Sequence, residues 1–300
     1  MTVLPRATPF DVAPWEIPLT PGQHVLIQFG IVVAAFALAA MALRMHAARR
    51  EVGDRYRPAV HAAAAAVSVA FLSYALLFLE LRSGYRFEDG MWRPGAEAAG
   101  TWAARFMDWT VSVPLLVIEL IAVSALAGAA ARRARAVGIA AGAGMAILGF
   151  LGAVVVGGGR SYPALLGFGL ASAVCFVVLY AVIIATVLKS LPVLPAAARG
   201  PLTAAMVVLV VSWFAYPVVF GLQGLVSSGA VTTFSQVLLS ATDLVAKVGF
   251  GLLVLRVARI RTAADVLAGE DVHPEGIWID QLRQSDGVLP DGPPGALSRD

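Results

Sequence analysis

Charge is what this sequence has least of. Only 14% of its 300 residues are charged, 59% are hydrophobic, and the mean hydropathy is +0.81. A soluble domain carries about 25% charged residues, so a water-soluble fold of this size is excluded. Lysine is nearly absent: Lys189 and Lys247 are the only two. The pI near 9.3 therefore comes from arginine. The arginines stand in short clusters between apolar runs, which argues against a nucleic-acid partner and for encoded membrane topology. The single cysteine, Cys175, excludes an internal disulfide and reads as a small buried apolar residue. The first residues, Met1 to Gln23, have no apolar stretch of the kind a cleavable leader needs. No metal site is expected.

What the sequence does have is long apolar runs. They cover residues 25–43, 59–81, 99–127, 137–156, 162–188, 202–226 and 234–255. A span needs about 20 residues, and backbone in lipid must bond within its own segment. The expected fold is an all-α membrane protein, a bundle of seven transmembrane helices. Arg44, Arg49, Arg50, Arg55 and Arg57 follow the first run, and Arg132, Arg133 and Arg135 the third. Lys189 and Arg199 follow the fifth, and Arg256, Arg259 and Arg261 the seventh. The positive-inside rule then predicts an outside N-terminus and a cytoplasmic C-terminus. The expected division is an extracellular segment 1–21, the bundle 22–261 and a cytoplasmic tail 262–300. Most of the tail is expected to lack a fold of its own; 276–282 is the apolar stretch that could dock on the bundle.

An ionisable side chain inside a membrane helix is functional by default and needs a partner. Such residues are expected on the third and seventh helices. Lys247 lies mid-helix with Asp243 one turn earlier. Alone, that pair is also what plain helix glue looks like. The third helix adds Arg105, Asp108, Ser112 and Glu119 along one stripe. Asp108 and Glu119 are eleven residues apart, about 16 Å along the axis. Lys247 and Arg105 balance Asp108 and Asp243, whereas Glu119 has no counter-charge and is expected to hold its proton at rest. Aromatics form a wall: Trp213, Tyr216, Pro217 and Phe220 share a face of the sixth helix, joined by Tyr74, Trp109 and Leu116. Met145 and Gly149 stand four apart on the fourth helix, with Gly149 leaving space.

Three blocks carry a resemblance. They are Arg105-Phe106-Met107-Asp108-Trp109 with Ser112, Pro114, Leu115, Leu116 and Glu119; Trp213-Phe214-Ala215-Tyr216-Pro217-Val218-Val219; and Asp243-Leu244-Val245-Ala246-Lys247-Val248-Gly249-Phe250-Gly251. Together they resemble the microbial (type 1) rhodopsins, in particular the proteorhodopsin and xanthorhodopsin branch. The resemblance covers the membrane part and not the tail. It implies all-trans retinal bound covalently to Lys247 and isomerised by light. It also implies Asp108 as counterion and primary proton acceptor, Asp243 as second counterion, Arg105 as extracellular gate and Glu119 as cytoplasmic proton donor. Leu116 stands where that branch tunes colour, and leucine there resembles a green absorber.

Some positions depart from the pattern. Ser112 stands for the usual threonine, Ser73 for a histidine that pairs with the counterion, Phe106 for a tyrosine, and Ser235 for an acidic release group. Gly167 or Gly169 could open the fifth helix as in antenna-binding xanthorhodopsins, which makes a carotenoid antenna a second cofactor to look for. The expected function is a light-driven outward proton pump in a prokaryotic plasma membrane, not an enzyme, and as a homo-oligomer. The alternative is a photosensory or slowly photoswitching protein that signals through its cytoplasmic face or tail. A channel lacks a polar pore lining. Asp108 would repel the cargo of an anion pump, and a sodium pump would be expected to lack it.

Overall fold

The computed structural model describes residues 12–270, 277–279 and 282–284. Seven helices form the bundle: α1 (Pro21–Ala48), α2 (Arg57–Gly84), α3 (Gly100–Ala122), α4 (Gly128–Val155), α5 (Tyr162–Ser190), α6 (Ala196–Leu222) and α7 (Gly229–Leu267). Six of them are long and apolar enough to cross a membrane. The exception is α3, which carries Arg105, Asp108 and Glu119; its neighbours supply the apolar exterior.

The helices outrun the apolar runs at their ends. Arg132, Arg133 and Arg135 belong to the first turns of α4, Arg199 to α6, and Arg256, Arg259 and Arg261 to α7, rather than to loops. Long arginine stems let a helix continue into the headgroup layer while the charge stays wet. At its start α1 has a capping box: Thr20 Oγ1 accepts from Gln23 N at 3.3 Å, and Thr20 N donates to Gln23 Oε1 at 2.9 Å. The break in α6, between Ala196–Trp213 and Ala215–Gln223, has a covalent cause. Pro217 brings no N–H, and its ring collides with the carbonyl four residues back, at Trp213.

Contacts between α1 and α2, α2 and α3, α3 and α4, and α4 and α5 are extensive, while α7 closes the ring against α1 and α6. Small residues Ala59, Ala63, Ala66 and Ala70 are buried along α2 and allow close approach. The seam between α5 and α6 is the thinnest in the ring. Cys175 is half-buried on α5, against Gly144 of α4.

Two hairpins were not foreseen. Strands β1 (Tyr85–Glu88) and β2 (Met91–Pro94) pair antiparallel between α2 and α3. Their turn, Asp89-Gly90, has φ of 49° and 77°, the left-handed pair that a two-residue hairpin needs. Leu19 bridges Trp92, and His24 stacks on the Trp92 ring at 3.9 Å. At the other end of the molecule, β3 (Ile277–Ile279) pairs with β4 (Leu282–Gln284), and β3 lies against the end of α7. Gly276, Asp280 and Gln281 of the apolar tail stretch lie outside the described residues. The last helix passes the boundary drawn at residue 261 and ends at Leu267. Thr262 is buried there, and its Oγ1 accepts from Gly53 N at 3.0 Å.

Candidate functional site

Lys247 sits in a π-helical turn, Val245–Gly249, inside α7. Such turns insert one residue into a helix and recur at functional sites. The ammonium is buried and donates to Asp108 Oδ2 at 2.7 Å and to Asp243 Oδ1 at 2.9 Å. The two carboxylates expected around Lys247 are therefore both in contact with it.

Their surroundings differ. Asp243 Oδ1 also accepts from Tyr216 Oη at 2.9 Å and Trp109 Nε1 at 3.2 Å, and Asp243 Oδ2 from Tyr74 Oη at 2.8 Å. Asp108 Oδ1 and Ser112 Oγ are buried with no hydrogen-bond partner. Ser73 does not reach Asp108; its hydroxyl donates to Ala104 O at 2.9 Å.

Arg105 lies 3.6 Å from Asp243 Oδ2. It donates to Gln236 Oε1 at 3.0 Å, Gln236 O at 3.1 Å, Ser240 Oγ at 3.0 Å and Tyr74 Oη at 3.1 Å. Sequence reasoning missed Gln236 and Ser240. The signal was present: Gln236, Ser240, Asp243 and Lys247 follow one another at helical spacing on one face. Ser235 is buried beside them. Glu80 was missed as well, so ionisable residues within the helices are not confined to α3 and α7. Its carboxylate lies against Gly100, where a Cβ would collide with it.

Glu119 stands apart. It is 0% exposed and neither oxygen has a partner. α7 passes it at Gly251, where an added Cβ would sit 3.6 Å from Glu119 Oε1 and 2.9 Å from Met41 Cε.

A cavity of about 520 Å³ opens among α3, α4, α5 and α6. Of the residues singled out in the sequence, Trp109, Met145, Gly149, Tyr216, Pro217 and Phe220 line it. Tyr74, Leu116, Trp213 and Lys247 are buried outside its wall. Trp109 and Tyr216 join the two regions, because both line the cavity and both donate to the Asp243 oxygen that Lys247 also reaches. The volume is in the range of ligand sites, about 300–1,000 Å³, and the lining is mostly apolar and aromatic. These residues fit a long apolar ligand, one end of which Trp109 and Tyr216 would bring beside Asp243, the partner of Lys247.

Gly149 leaves space, though its nearest occupant is Phe106, whose Cε1 would be 3.1 Å from an added Cβ. Of the two α5 glycines, Gly169 lines the cavity and would bring a Cβ to 2.7 Å from Phe220 Cε1, whereas Gly167 faces open space.

Comparison with known proteins identifies the family and the fold. The family model described as bacteriorhodopsin-like protein matches residues 24–260. Archaerhodopsin-3 of Halorubrum sodomense is 34% identical over 196 residues, 59% of this chain and 67% of that protein. The crystal structure of a thermophilic rhodopsin superposes with a TM-score of 0.76 at 25% identity, covering 83% of this chain and 98% of that one. Xanthorhodopsin, described as a light-driven ion pump with dual chromophore, superposes with a TM-score of 0.73 at 24% identity and the same two coverages, 83% and 98%, a likeness of fold. The chain belongs to the bacteriorhodopsin-like family of microbial type 1 rhodopsins, multi-pass membrane proteins that carry retinal on a lysine.

Proposed function

We propose that this protein is a light-driven outward proton pump, with all-trans retinal on Lys247 and the arginine-rich end of the bundle in the cytoplasm. The observation that carries the reading is the inequality of three buried carboxyls. Asp108 touches Lys247 with one oxygen and has no donor on the other. Asp243 is saturated by Tyr74, Trp109, Tyr216 and Lys247. Glu119 is alone in the opposite half.

Retinal, when bound, supplies a protonated nitrogen at Lys247 whose hold on its proton and whose facing change with light. Asp108 is the carboxylate with room to take a proton, because one oxygen is uncommitted. Asp243 stays an anion among its donors and keeps the charge of Lys247 and Arg105 balanced. Arg105, tied to Gln236 and Ser240, closes the path from Asp108 to the outside. An isolated buried carboxylate costs several kcal/mol, so Glu119 carries its proton at rest and is the store from which Lys247 regains one. Gly167 of α5 has open space where a side chain would stand, which supports room for a carotenoid on that face, whereas Phe220 fills the space beside Gly169.

The photosensory alternative draws on one observation, the β3–β4 hairpin against α7 at the end a partner would meet. Illumination of cells carrying the protein and retinal decides between the two readings. The pump acidifies the medium, a protonophore erases the signal, and Glu119→Gln slows the late recovery of the pigment tenfold or more, with azide restoring it. No acidification, and a recovery over seconds that Glu119→Gln leaves unchanged, replaces the pump with the sensor.

A further inference from the structure

The pump reading leaves one buried cation unused. Arg261, near the end of α7, is only 8% exposed. Its Nη1 donates to Val123 O at 3.1 Å and to Ser124 O at 2.7 Å, the carbonyls that end α3. Its guanidinium lies 4.9 Å from the centre of the Tyr56 ring. Tyr56 Oη in turn donates to Asp265 Oδ2 at 2.6 Å, and Arg55 lies 3.7 Å from the same oxygen. Burial, and then the Asp265 carboxylate, push the Tyr56 phenol well above its ordinary range, so it remains a neutral donor and the cluster keeps its shape. Val123 comes four residues after Glu119, one helical turn or about 6 Å along α3. Arg261 therefore stands between Glu119 and the arginine-rich end.

We propose that Arg261 is the cytoplasmic gate for protons that reach Glu119: a positioning residue that acts through the α3 terminus and not a carrier itself. The proposal rests on the pump reading above. While Glu119 is neutral, nothing draws the guanidinium from the two carbonyls, and the way in is filled by Arg261 and the Tyr56 ring. Once Glu119 has given up its proton, its carboxylate becomes an attractive partner one turn away in a medium of low dielectric. The guanidinium leaves Val123 and Ser124, water enters, and a proton passes from cytoplasmic water to a Glu119 oxygen. The arginine keeps its own proton throughout, so the step moves one proton and one counter-ion. The gate closes again because the neutral acid no longer holds it.

Dark hydrogen–deuterium exchange of the Glu119 carboxyl tests this on the full chain, followed by its infrared band and assigned by the band's loss in Glu119→Gln. Transfer into heavy water should shift the band slowly in the unmodified protein. In Arg261→Gln it should shift at least tenfold faster, with Arg261→Lys between the two and the α3 backbone amides still protected. Unchanged exchange in both variants overturns the gate. So does fast carboxyl exchange accompanied by loss of α3 amide protection, which would make Arg261 a helix clamp. If Arg261→Gln does not fold, Arg261→Lys alone decides, since exchange equal to that of the unmodified protein rejects the proposal. Absence of the Glu119 band in the unmodified protein at neutral pH would instead defeat the donor reading itself.

Discussion

The bundle is two different solvents stacked end to end. In the half around Asp243, a buried arginine, a lysine, two carboxylates, two tyrosines, a tryptophan, a glutamine and a serine form a connected set in which nearly every polar atom has a partner. In the half around Glu119, one carboxyl sits with both oxygens unpartnered near Met41 and Met45. The first arrangement holds charge cheaply, because each ion sees an opposite charge and several dipoles. The second holds a neutral acid and penalises an ion. Placed in series on one helix, with Asp108 and Glu119 eleven residues apart, they make the two ends of the proton path unequal.

The sharpest way to break the contrast is to remove the cation that Asp108 and Asp243 share. Lys247→Ala should abolish the visible band completely after retinal addition, since Lys189 is the only other lysine and lies in the last turn of α5. A residual pigment in absorption spectra would refute the attachment.

Next come the two carboxylates, which should respond unequally. Asp243→Asn disturbs four donors and should cost on the order of 3–5 kcal/mol, the usual result of breaking a buried ion pair from one side. Asp108→Asn disturbs one donor and should cost less, while shifting the band to longer wavelength and stopping transport. Thermal bleaching of the two pigments compares the losses; equal losses would mean that the polar half is not organised around Asp243.

The smallest effect should come from the bare half. Glu119→Leu removes a buried acid without partners, so stability should stay level or rise by about 1–3 kcal/mol. A clear loss of thermal stability would reveal a partner for Glu119.

Much of this was legible from residue types and spacing. Helix count follows from the length of apolar runs, and Lys247, Asp243, Asp108 and Arg105 stand out because charge in lipid is costly. Helix ends were less legible, because arginine-bearing turns continue the hydrogen-bond ladder without looking apolar. The π turn at Val245–Gly249 depends on backbone register, and residue identity does not signal it. Ser73 was read as a departure, a serine in the place of a histidine that would pair with the counterion; which group its hydroxyl meets instead, Ala104 O, depends on the packing of α2 on α3 and is not written in the residue type. Glu80 sat next to the end of the expected span at residue 81, two residues before Arg82, where a charge passes for the edge of a helix. The Asp89-Gly90 hairpin had a recognisable turn dipeptide but lay in a segment read only for its charges.

The length of α7 has a consequence of its own. At 39 residues and about 1.5 Å each, the helix is about 58 Å long, nearly twice the hydrocarbon thickness of about 30 Å. Tilts near 20° shorten its projection by only a few ångströms. The excess must stand clear of the lipid as a stiff mast, stayed to the α1–α2 loop by Thr262 and Asp265. Whatever is joined beyond Leu267 leaves the protein at a fixed height and bearing, as a flag leaves its pole. A fluorophore or a second protein fused there should report rotations of α7 directly, without the slack that a linker at the membrane surface would introduce.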